Sequence, residues 1–489
     1  MKCSGVGVRT AILIRVTSVN LHNKQVRGYW SVVPRQFLAS MSAPTLAAWM
    51  KQRLSFRAAI LALSQTALLA TIFVLAWQRN WPIDLPDFDP TGVPFIHILP
   101  TVRLAELLAT ATVGTYALAG WPNRERLLRG PRKGFALALI ALLIVAALSS
   151  LWAIHRGLAA VQAAHMAAWV AFALMMASGD WPAPRLAASF LAGLLMHSWV
   201  GLLQVALQHF VGLGPRFGEL PVRPENNWAS VVFAGPARLL RAYGLSGHPN
   251  MLGGHLAVGL ILSHGLVSVW PRVWRALIVI AWAIAWALLL LTFSRSAWLA
   301  LIAGGLTAAV LLLRGRRIDR QALIAATTLA IAGAALAAAF VTIFHPFLIG
   351  RVQVATQSYE TFSINERQGL IEVAGQLIAA HPLTGVGAAN FSLAGRALLG
   401  YPLDWVHNVP LVVASELGLP GLAAFVAVIG SMLVVGWARW QSRSITLWQA
   451  LTGGGLAALM LIMLFDHYLW TAPQGALLWA LLAGWWMAD

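Results

Sequence analysis

The sequence predicts an all-α membrane protein, a polytopic bundle of about twelve transmembrane helices. Two features of its composition indicate this class: 59% of the 489 residues are hydrophobic, and only 10% are charged. A soluble domain has about 25% charged and about 45–50% apolar residues. This chain has more apolar surface than a water-soluble core could bury. The third observation is that apolar stretches of about 20 residues, the length that crosses the hydrocarbon core as a helix, recur along the chain.

The candidate spans follow one another from residue 58 to the C-terminus. The longest of them contains Gly418, Pro420 and Gly421, which predict a break or a tilt in its helix. Arg103 and Glu106 near one end of the second span indicate a snorkelling or mutually paired set rather than a site. The predicted spans are 58–77, 101–119, 135–153, 159–178, 186–208, 249–269, 274–293, 296–313, 321–344, 409–437, 447–466 and 473–487.

The distribution of basic residues predicts the orientation of these spans. Residues 1–57 contain nine Lys and Arg and no acidic residue, and they are expected to form a cytoplasmic tail that is either flexible or a misassigned start. Short basic loops such as 124–133 alternate with weakly basic ones, which places both termini in the cytoplasm. The transmembrane domain is then 58–489, in the inner or plasma membrane, with 209–248 and 345–408 as outer loops.

The net charge of +18 indicates which classes of binding partner to expect. In a soluble protein it would suggest nucleic acid, but here the cations lie in short loops beside apolar spans, where they meet lipid headgroups. Membrane lipids and glycan–pyrophosphate substrates are therefore the expected partners, and nucleic acid is not. The single cysteine, Cys3, excludes an intramolecular disulfide and a Cys-based metal cluster.

The outer segment 345–408 contains the first candidate for chemistry. Ser363 and Glu366 have the spacing of a helix capping box, which predicts an amphipathic surface helix that ends at His381 with Arg367 in its first turn. A cation in a first turn gains nothing from the helix dipole, so Arg367 calls for an anionic partner. The alternatives are a solvated arginine or an ion pair with Glu366 or Glu372.

Two further candidates lie at the predicted boundary between membrane and water. Arg295 separates two apolar spans, where a guanidinium fork suits a lipid pyrophosphate, although it can also snorkel. His407 and Asn408 end the long outer loop. A neutral imidazole at this depth can take a proton from a hydroxyl near pH 7, while a helix cap or an interfacial position is the alternative.

A second outer element, 237–257, contains Arg241, His248 and Asn250, which either bind substrate or shape the loop. No phosphate-binding glycine motif is present, so no nucleotide cofactor is expected. The remaining histidines lack metal-ligand spacing, and Asp466–His467 is an adjacent pair rather than an i,i+4 pair. No metal site is predicted.

Five groups of residues together resemble the O-antigen ligase/polymerase superfamily of membrane glycosyltransferases, over about 238–421. The most specific is His407-Asn408, then nine residues, then Gly418, two residues and Gly421, the pattern H-N-x9-G-x-x-G. The other four are RAYGLSGHPN at 241–250, TFSRSAW at 292–298, the Glu366-Arg367 pair and HPLTGVGAANF at 381–391.

The resemblance implies a GT-C-like bundle and an inverting, metal-independent transfer that needs no cofactor. His407 would be the catalytic residue, Arg295 and Arg367 would bind phosphate, and Arg241, His248, Asn250 and Asn408 are further substrate-binding candidates. The implied donor is an undecaprenyl-pyrophosphate-linked glycan. The acceptor, a glycan, lipid or protein, stays open between ligase, polymerase and protein O-oligosaccharyltransferase. Outside this superfamily, a lipid-linked sugar transporter and a structural envelope component are the alternatives.

Overall fold

The computed structural model describes residues 43–86, 100–315, 320–352, 358–400 and 404–488. The chain divides into two compact units, Met1–Ile60 and Leu61–Asp489. Residues 1–42 of the predicted tail lie outside the described residues. The first helix begins at Ala43 and ends at Phe73, so the helical segment starts well before the predicted span at residue 58.

The described residues form fifteen α-helices, which confirms the all-α class. The first half of the chain contributes α1 Ala43–Phe73, α2 Leu104–Leu118, α3 Gly130–Ser149, α4 Arg156–Ser178, α5 Ala183–Leu207, α6 Pro249–Val269 and α7 Arg272–Leu291. The second half contributes α8 Arg295–Arg314, α9 Arg320–Val352, α10 Ser358–Ala380, α11 Phe391–Leu399, α12 Val409–Ser442, α13 Leu447–Met463, α14 Tyr468–Thr471 and α15 Pro473–Ala488.

Each of the twelve predicted spans coincides with one of these helices. Nine helices among the described residues are long and apolar enough to cross a membrane. The three others, α2, α13 and α15, have 15, 17 and 16 residues. The protein is therefore a polytopic membrane protein in which three apolar helices are short.

Two antiparallel hairpins, which the sequence did not predict, interrupt the helical pattern. One pairs β1 (Asn80–Pro82) with β2 (Thr101–Arg103), and the other pairs β3 (Val231–Ala234) with β4 (Ala237–Leu240). They are three or four residues long, too short for a hydrophobic period to show in the sequence.

Close packing in the bundle depends on small residues. A Cβ atom added at Gly304 in α8 would lie 2.5 Å from the Gly454 carbonyl oxygen in α13, so these two backbones touch directly. Such small-residue contacts stabilise helix pairs in membranes, where lipid is as apolar as leucine and burial gives little net gain. α6 is the most enclosed of the candidate spans, with 83% of its apolar window buried.

The break predicted in the longest span is present in α12. Gly418 has φ 67° and ψ −172°, and the helix continues beyond it. The break leaves the carbonyls of Ser415 and Glu416 without helical donors, and they accept hydrogen bonds from Val386 N and Gly387 N, each at 2.9 Å. We call residues 382–387 and 415–418 together the α12 joint.

Two predictions for the outer segment were wrong in their boundaries. α9 does not end at residue 344: it kinks at Phe344 and continues through Pro346 to Val352. The predicted capping box does not start a helix, because α10 already begins at Ser358. Arg367 therefore lies past the first turn, and the dipole argument made for it does not hold.

The ends of several helices meet at one end of the bundle, called here the upper end. Ala242 N donates to the Leu291 carbonyl at the end of α7 at 3.0 Å. Asn408 Nδ2, before α12, donates to the Leu464 carbonyl after α13 at 3.3 Å. At the opposite, lower end, Arg132 donates to the carbonyls of Met487 and Ala488 at the end of α15.

Candidate active site

Polar residues at the upper end cap the helices that begin there. The ring Nδ1 of His248 accepts from Asn250 N at 3.1 Å at the start of α6. The side-chain oxygen of Asn408 accepts from Leu411 N at 3.0 Å at the start of α12. First-turn amides have no helical acceptor, which explains polar caps at these positions. Asn408, predicted to bind substrate, is thus engaged as a cap on α12 and as a tether to the Leu464 carbonyl.

Two loops bring two acidic residues and two histidines together, and we call Asp404, His407, Asp466 and His467 the histidine cluster. The His407 and His467 rings stack with centroids 5.1 Å apart and planes 9° apart. Trp405 also stacks on His467, with centroids 5.7 Å apart. His467 Nε2 lies 3.5 Å from Asp404 Oδ1. The cluster therefore fixes the orientation of both imidazoles.

Charge and burial act in opposite directions on the two histidines. Burial first, and the neighbouring His467 second, lower the pKa of His407 to about 4, although Asp466 and Asp404 act in the opposite direction. Burial also lowers the pKa of His467, but the interaction with Asp404 outweighs it and the net shift is upward. Burial raises the pKa of Asp404, yet the charge of His467 holds it well below its usual range. The environment thus favours the uncharged form of His407 and the charged form of His467.

Arg367 on α10 faces this cluster. Its charge lowers the pKa of both His407 and His467, which places the guanidinium in their electrostatic neighbourhood. Its Nε is buried and has no hydrogen-bond partner among the described residues, and neither has Nδ1 of His407. No salt bridge with Glu366 or Glu372 is present in the described part of the chain. Arg367 therefore keeps donor capacity toward the cluster.

A hydrogen-bonded line connects the predicted residues of segment 237–257 to the cluster. Arg241 donates from Nε to the Thr292 carbonyl and from Nη2 to Asn250 Oδ1, both at 2.6 Å. Asn250 Nδ2 then donates to Asp466 Oδ2 at 2.9 Å. His248 Nε2 lies 2.8 Å from Ser230 Oγ. Arg241 and Asn250 thus hold Asp466 in place from α6.

Arg295 is the first residue of α8 and lies at the upper end. Its side chain is exposed, and Nη1 donates to the Arg351 carbonyl of α9 at 3.1 Å. Arg351 in turn donates to the Phe293 carbonyl at 3.2 Å. Arg367 thus lies in the electrostatic neighbourhood of His407, and Arg295 lies beside α9 at the same end of the bundle.

Sequence reasoning missed Asp404 and set aside Asp466–His467. The adjacent pair was judged by helical spacing, but it occupies the turn between α13 and α14, where that rule does not apply. The signal that could have found it is position: the pair ends an apolar span on the same predicted side as His407.

Three members of the cluster have side chains of the kind that bind metal ions. Asp404, His407 and His467 each offer a ligand atom within 4.8 Å of the others. A zinc site needs its imidazole nitrogens to converge on one ion at about 2.0–2.1 Å. The two rings are parallel to within 9°, so their in-plane lone pairs run side by side, and one ring would have to turn before both could bind one ion.

A second polar group lies beside the cluster and shares Trp405 and Thr471 with it. It surrounds a cavity of about 30 Å³, enough for one or two water molecules. Arg103 lines this cavity; it is 1% exposed and donates to Gln474, so it does not snorkel. Glu106 accepts from the backbone amide of Arg103 at 3.1 Å, and its Oε1 lies 2.5 Å from His165 Nδ1, so the two side chains have other partners than each other.

Comparison with known proteins finds one similarity. Residues 276–426 match a family model described as O-Antigen ligase. The matched segment contains Arg295, Arg367 and His407 as well as the whole α12 joint. No curated protein and no solved structure matches the chain significantly.

Proposed function

We propose, from the premise that residues 276–426 are an O-antigen ligase domain, that this membrane protein is a glycosyltransferase of the ligase type. It would transfer a glycan from an undecaprenyl-pyrophosphate carrier to an acceptor hydroxyl. The observation that carries the proposal is the meeting of His407 and Arg367 at the upper end, where each has a buried nitrogen that no described residue satisfies. An uncharged imidazole and a cation side by side are what proton removal and phosphate stabilisation require.

In the proposed reaction His407 accepts the proton of the acceptor hydroxyl. The oxygen then attacks the anomeric carbon of the lipid-linked sugar from the face opposite the phosphate, so the configuration inverts. The bond between that carbon and the phosphate oxygen breaks, and its electron pair leaves on the undecaprenyl pyrophosphate. Arg367, with Arg295, would stabilise the charge that grows on the pyrophosphate. Because guanidinium groups offset this charge, the proposed transfer is metal-independent.

We place the reaction on the extracytoplasmic face of the inner or plasma membrane, with both termini in the cytoplasm. Support comes from the basic loop 124–133, which lies at the end of the bundle opposite the histidine cluster, where its Arg132 contacts the end of α15. No nucleotide is available outside the cell. The donor must therefore arrive already activated, and a sugar–pyrophosphate bond meets that need without a cofactor.

The motif H-N-x9-G-x-x-G does not itself identify the acceptor. Gly418 and Gly421 lie at the break in α12: a Cβ at Gly418 would lie 2.7 Å from the Leu383 carbonyl carbon, and a Cβ at Gly421 would lie 2.2 Å from the Cβ atom of Leu417. A polymerase or a protein O-oligosaccharyltransferase could use the same break. Product length distinguishes them, because a ligase adds one preassembled glycan whereas a polymerase yields a ladder.

The test is transfer by the protein reconstituted with an undecaprenyl-pyrophosphate oligosaccharide and a panel of glycan, lipid and protein acceptors. We expect His407→Ala and Arg367→Ala to reduce kcat/KM by at least about 10²-fold, the usual scale for loss of a general base or of a phosphate-stabilising cation. Arg295→Ala should reduce it as well, since a cation near the pyrophosphate is lost.

Matched controls are His345→Ala in α9 and Arg396→Ala in α11, because both side chains are exposed. They should transfer at the parental rate. Full transfer by all three site variants with intact folding would reject the proposed site. Transport of the lipid-linked glycan without any transfer would instead favour a transporter.

A further inference from the structure

His467 is held between two hydrogen-bond acceptors. The hydroxyl of Thr471 donates to the His467 carbonyl at 3.3 Å, so its oxygen is free to accept a hydrogen bond. His467 Nδ1 lies 2.7 Å from that oxygen, which can accept the hydrogen of a protonated Nδ1. Nε2 faces the carboxylate of Asp404 at 3.5 Å, a second acceptor. Because each ring nitrogen has an acceptor beside it, the two partners together favour the doubly protonated ring, an imidazolium.

Charged groups of both signs act on this ring. Asp404 and Asp466 provide negative charge, and Asp466 Oδ1 accepts from the His467 backbone amide at 2.9 Å. Positive charge comes from Arg367 on α10. Two further titratable groups lie near the cluster. His248 interacts electrostatically with Asp466, and Glu366 interacts with Asp404.

His407 shares this environment but not the direct partners. Its ring stacks on His467 at 5.1 Å and faces the same two carboxylates. A pyrophosphate donor bound at Arg367 would add further negative charge. Two carboxylates and a pyrophosphate together favour protonation of His407, and a protonated imidazole cannot accept the proton of an acceptor hydroxyl.

We infer that His467 is a positioning residue for the transfer: its imidazolium, fixed by Asp404 and Thr471 and stacked on His407, keeps the catalytic ring oriented and uncharged while the donor is bound. Protonating His407 would place two cations face to face beside Arg367. The inference rests on the proposed function, because it assigns His407 the role of base. It adds a residue outside the segment that matches the family model.

The experiment is the pH profile of kcat, which reports groups in the donor-bound enzyme, for the full-length reconstituted protein between pH 4 and 9. We expect His467→Gln to move the acid limb upward by about one pH unit, since the cation that opposes protonation of His407 is lost. The variant should recover its deficit once the pH is well above its shifted acid limb. A residue that only supports the fold would lower the rate by the same factor at every pH.

His467→Lys separates charge from shape. It retains a cation in place of the ring, so its acid limb should stay at the parental position even if the rate falls. An unmoved acid limb in His467→Gln, or an equal shift in both variants, would overturn the inference. Failure of both variants to fold would also overturn it, in favour of a structural role.

His407→Ala, measured alongside, separates this inference from the proposed function. If His407→Ala transfers normally, the proposed site fails whatever His467 does. If His407→Ala is inactive and His467→Gln shows a uniform loss, only the role of His467 fails.

Discussion

The α12 joint and the histidine cluster are two polar regions in one apolar bundle. They differ in whether their buried polar atoms have hydrogen-bond partners. At the joint, the carbonyls freed by the break at Gly418 receive the amides of Val386 and Gly387. In the cluster, His407 Nδ1 and the nearby Arg367 Nε find no partner among the described residues. An unsatisfied buried donor or acceptor costs free energy, about 1–3 kcal/mol. We infer from this contrast that the joint stabilises the fold and that the unpaired atoms of the cluster are available to bind a ligand.

One residue connects the two regions. Glu416 in the joint is fully buried and accepts hydrogen bonds from the indole nitrogens of Trp405 at 2.9 Å and Trp470 at 3.1 Å. The ring of Trp405 stacks on His467. Glu416, beside the break in α12, thus binds an indole that packs against the cluster.

The largest effect that separates the two regions should come from Gly418→Ala. The backbone at Gly418 is in a region that is almost exclusive to glycine, and an added Cβ would overlap the backbone of Leu383. Strain of about 1–3 kcal/mol and the overlap together should lower the free energy of unfolding by about 3 kcal/mol or more. Thermal unfolding and the yield of monodisperse protein in detergent measure it.

The control lies in the same helix. A Cβ at Gly430 meets no atom within 4 Å, so Gly430→Ala should be neutral or stabilising by up to about 1 kcal/mol. Equal stability of the two variants would contradict the assignment of the joint as a structural element. A Gly418→Ala variant that folds normally but loses transfer would show that the joint has a role in the reaction itself.

The sequence predicted the helices well because a membrane span needs a continuous apolar stretch, which hydropathy detects directly. The break in α12 was also predictable, since Gly418 and Pro420 disfavour a regular helix there. Position and local chemistry proposed His407 and Arg367 as candidates, and the superfamily resemblance gave each an expected role. Asp404 and His467 were not predicted as site residues. They contact each other but lie far apart in the sequence, so no local spacing indicates the contact. The start of α10 was misplaced because a capping-box spacing also occurs inside helices.

A smaller effect concerns the pH dependence of stability at the cluster. The pKa of His407 is about 4 in the fold, against about 6.5 in an unfolded chain. Between these values the unfolded state binds the proton and the folded state does not, so stability falls as the pH is lowered from 6.5 toward 4. The full loss is on the order of 3 kcal/mol. In His407→Gln this contribution is absent, so its stability should decline less from pH 7 to pH 5.

Thermal unfolding of both proteins at a series of pH values measures the difference. The ion pair of Asp404 and His467 stabilises the fold of both proteins, and it does so over its own pH range. It is fully present between the unfolded pKa values of about 3.9 and about 6.5, and it weakens outside them. Parallel pH curves for the parent and His407→Gln would show that the joint and the cluster do not differ in the way proposed.

The smallest effect is predicted for metal removal, and it tests whether the unpaired atoms of the cluster await a phosphate or an ion. Asp404, His407 and His467 are close enough to bind a divalent cation, but the parallel rings do not converge, and both nitrogens of His467 already have partners. Dialysis against a chelator should therefore change the transfer rate by less than about twofold, since no step of the proposed reaction uses an ion. Zinc added in excess should not activate the enzyme. A loss of transfer on chelation that zinc or manganese restores, and that His467→Gln abolishes, would show that one ring turns to bind a metal and that guanidinium groups alone do not stabilise the leaving pyrophosphate.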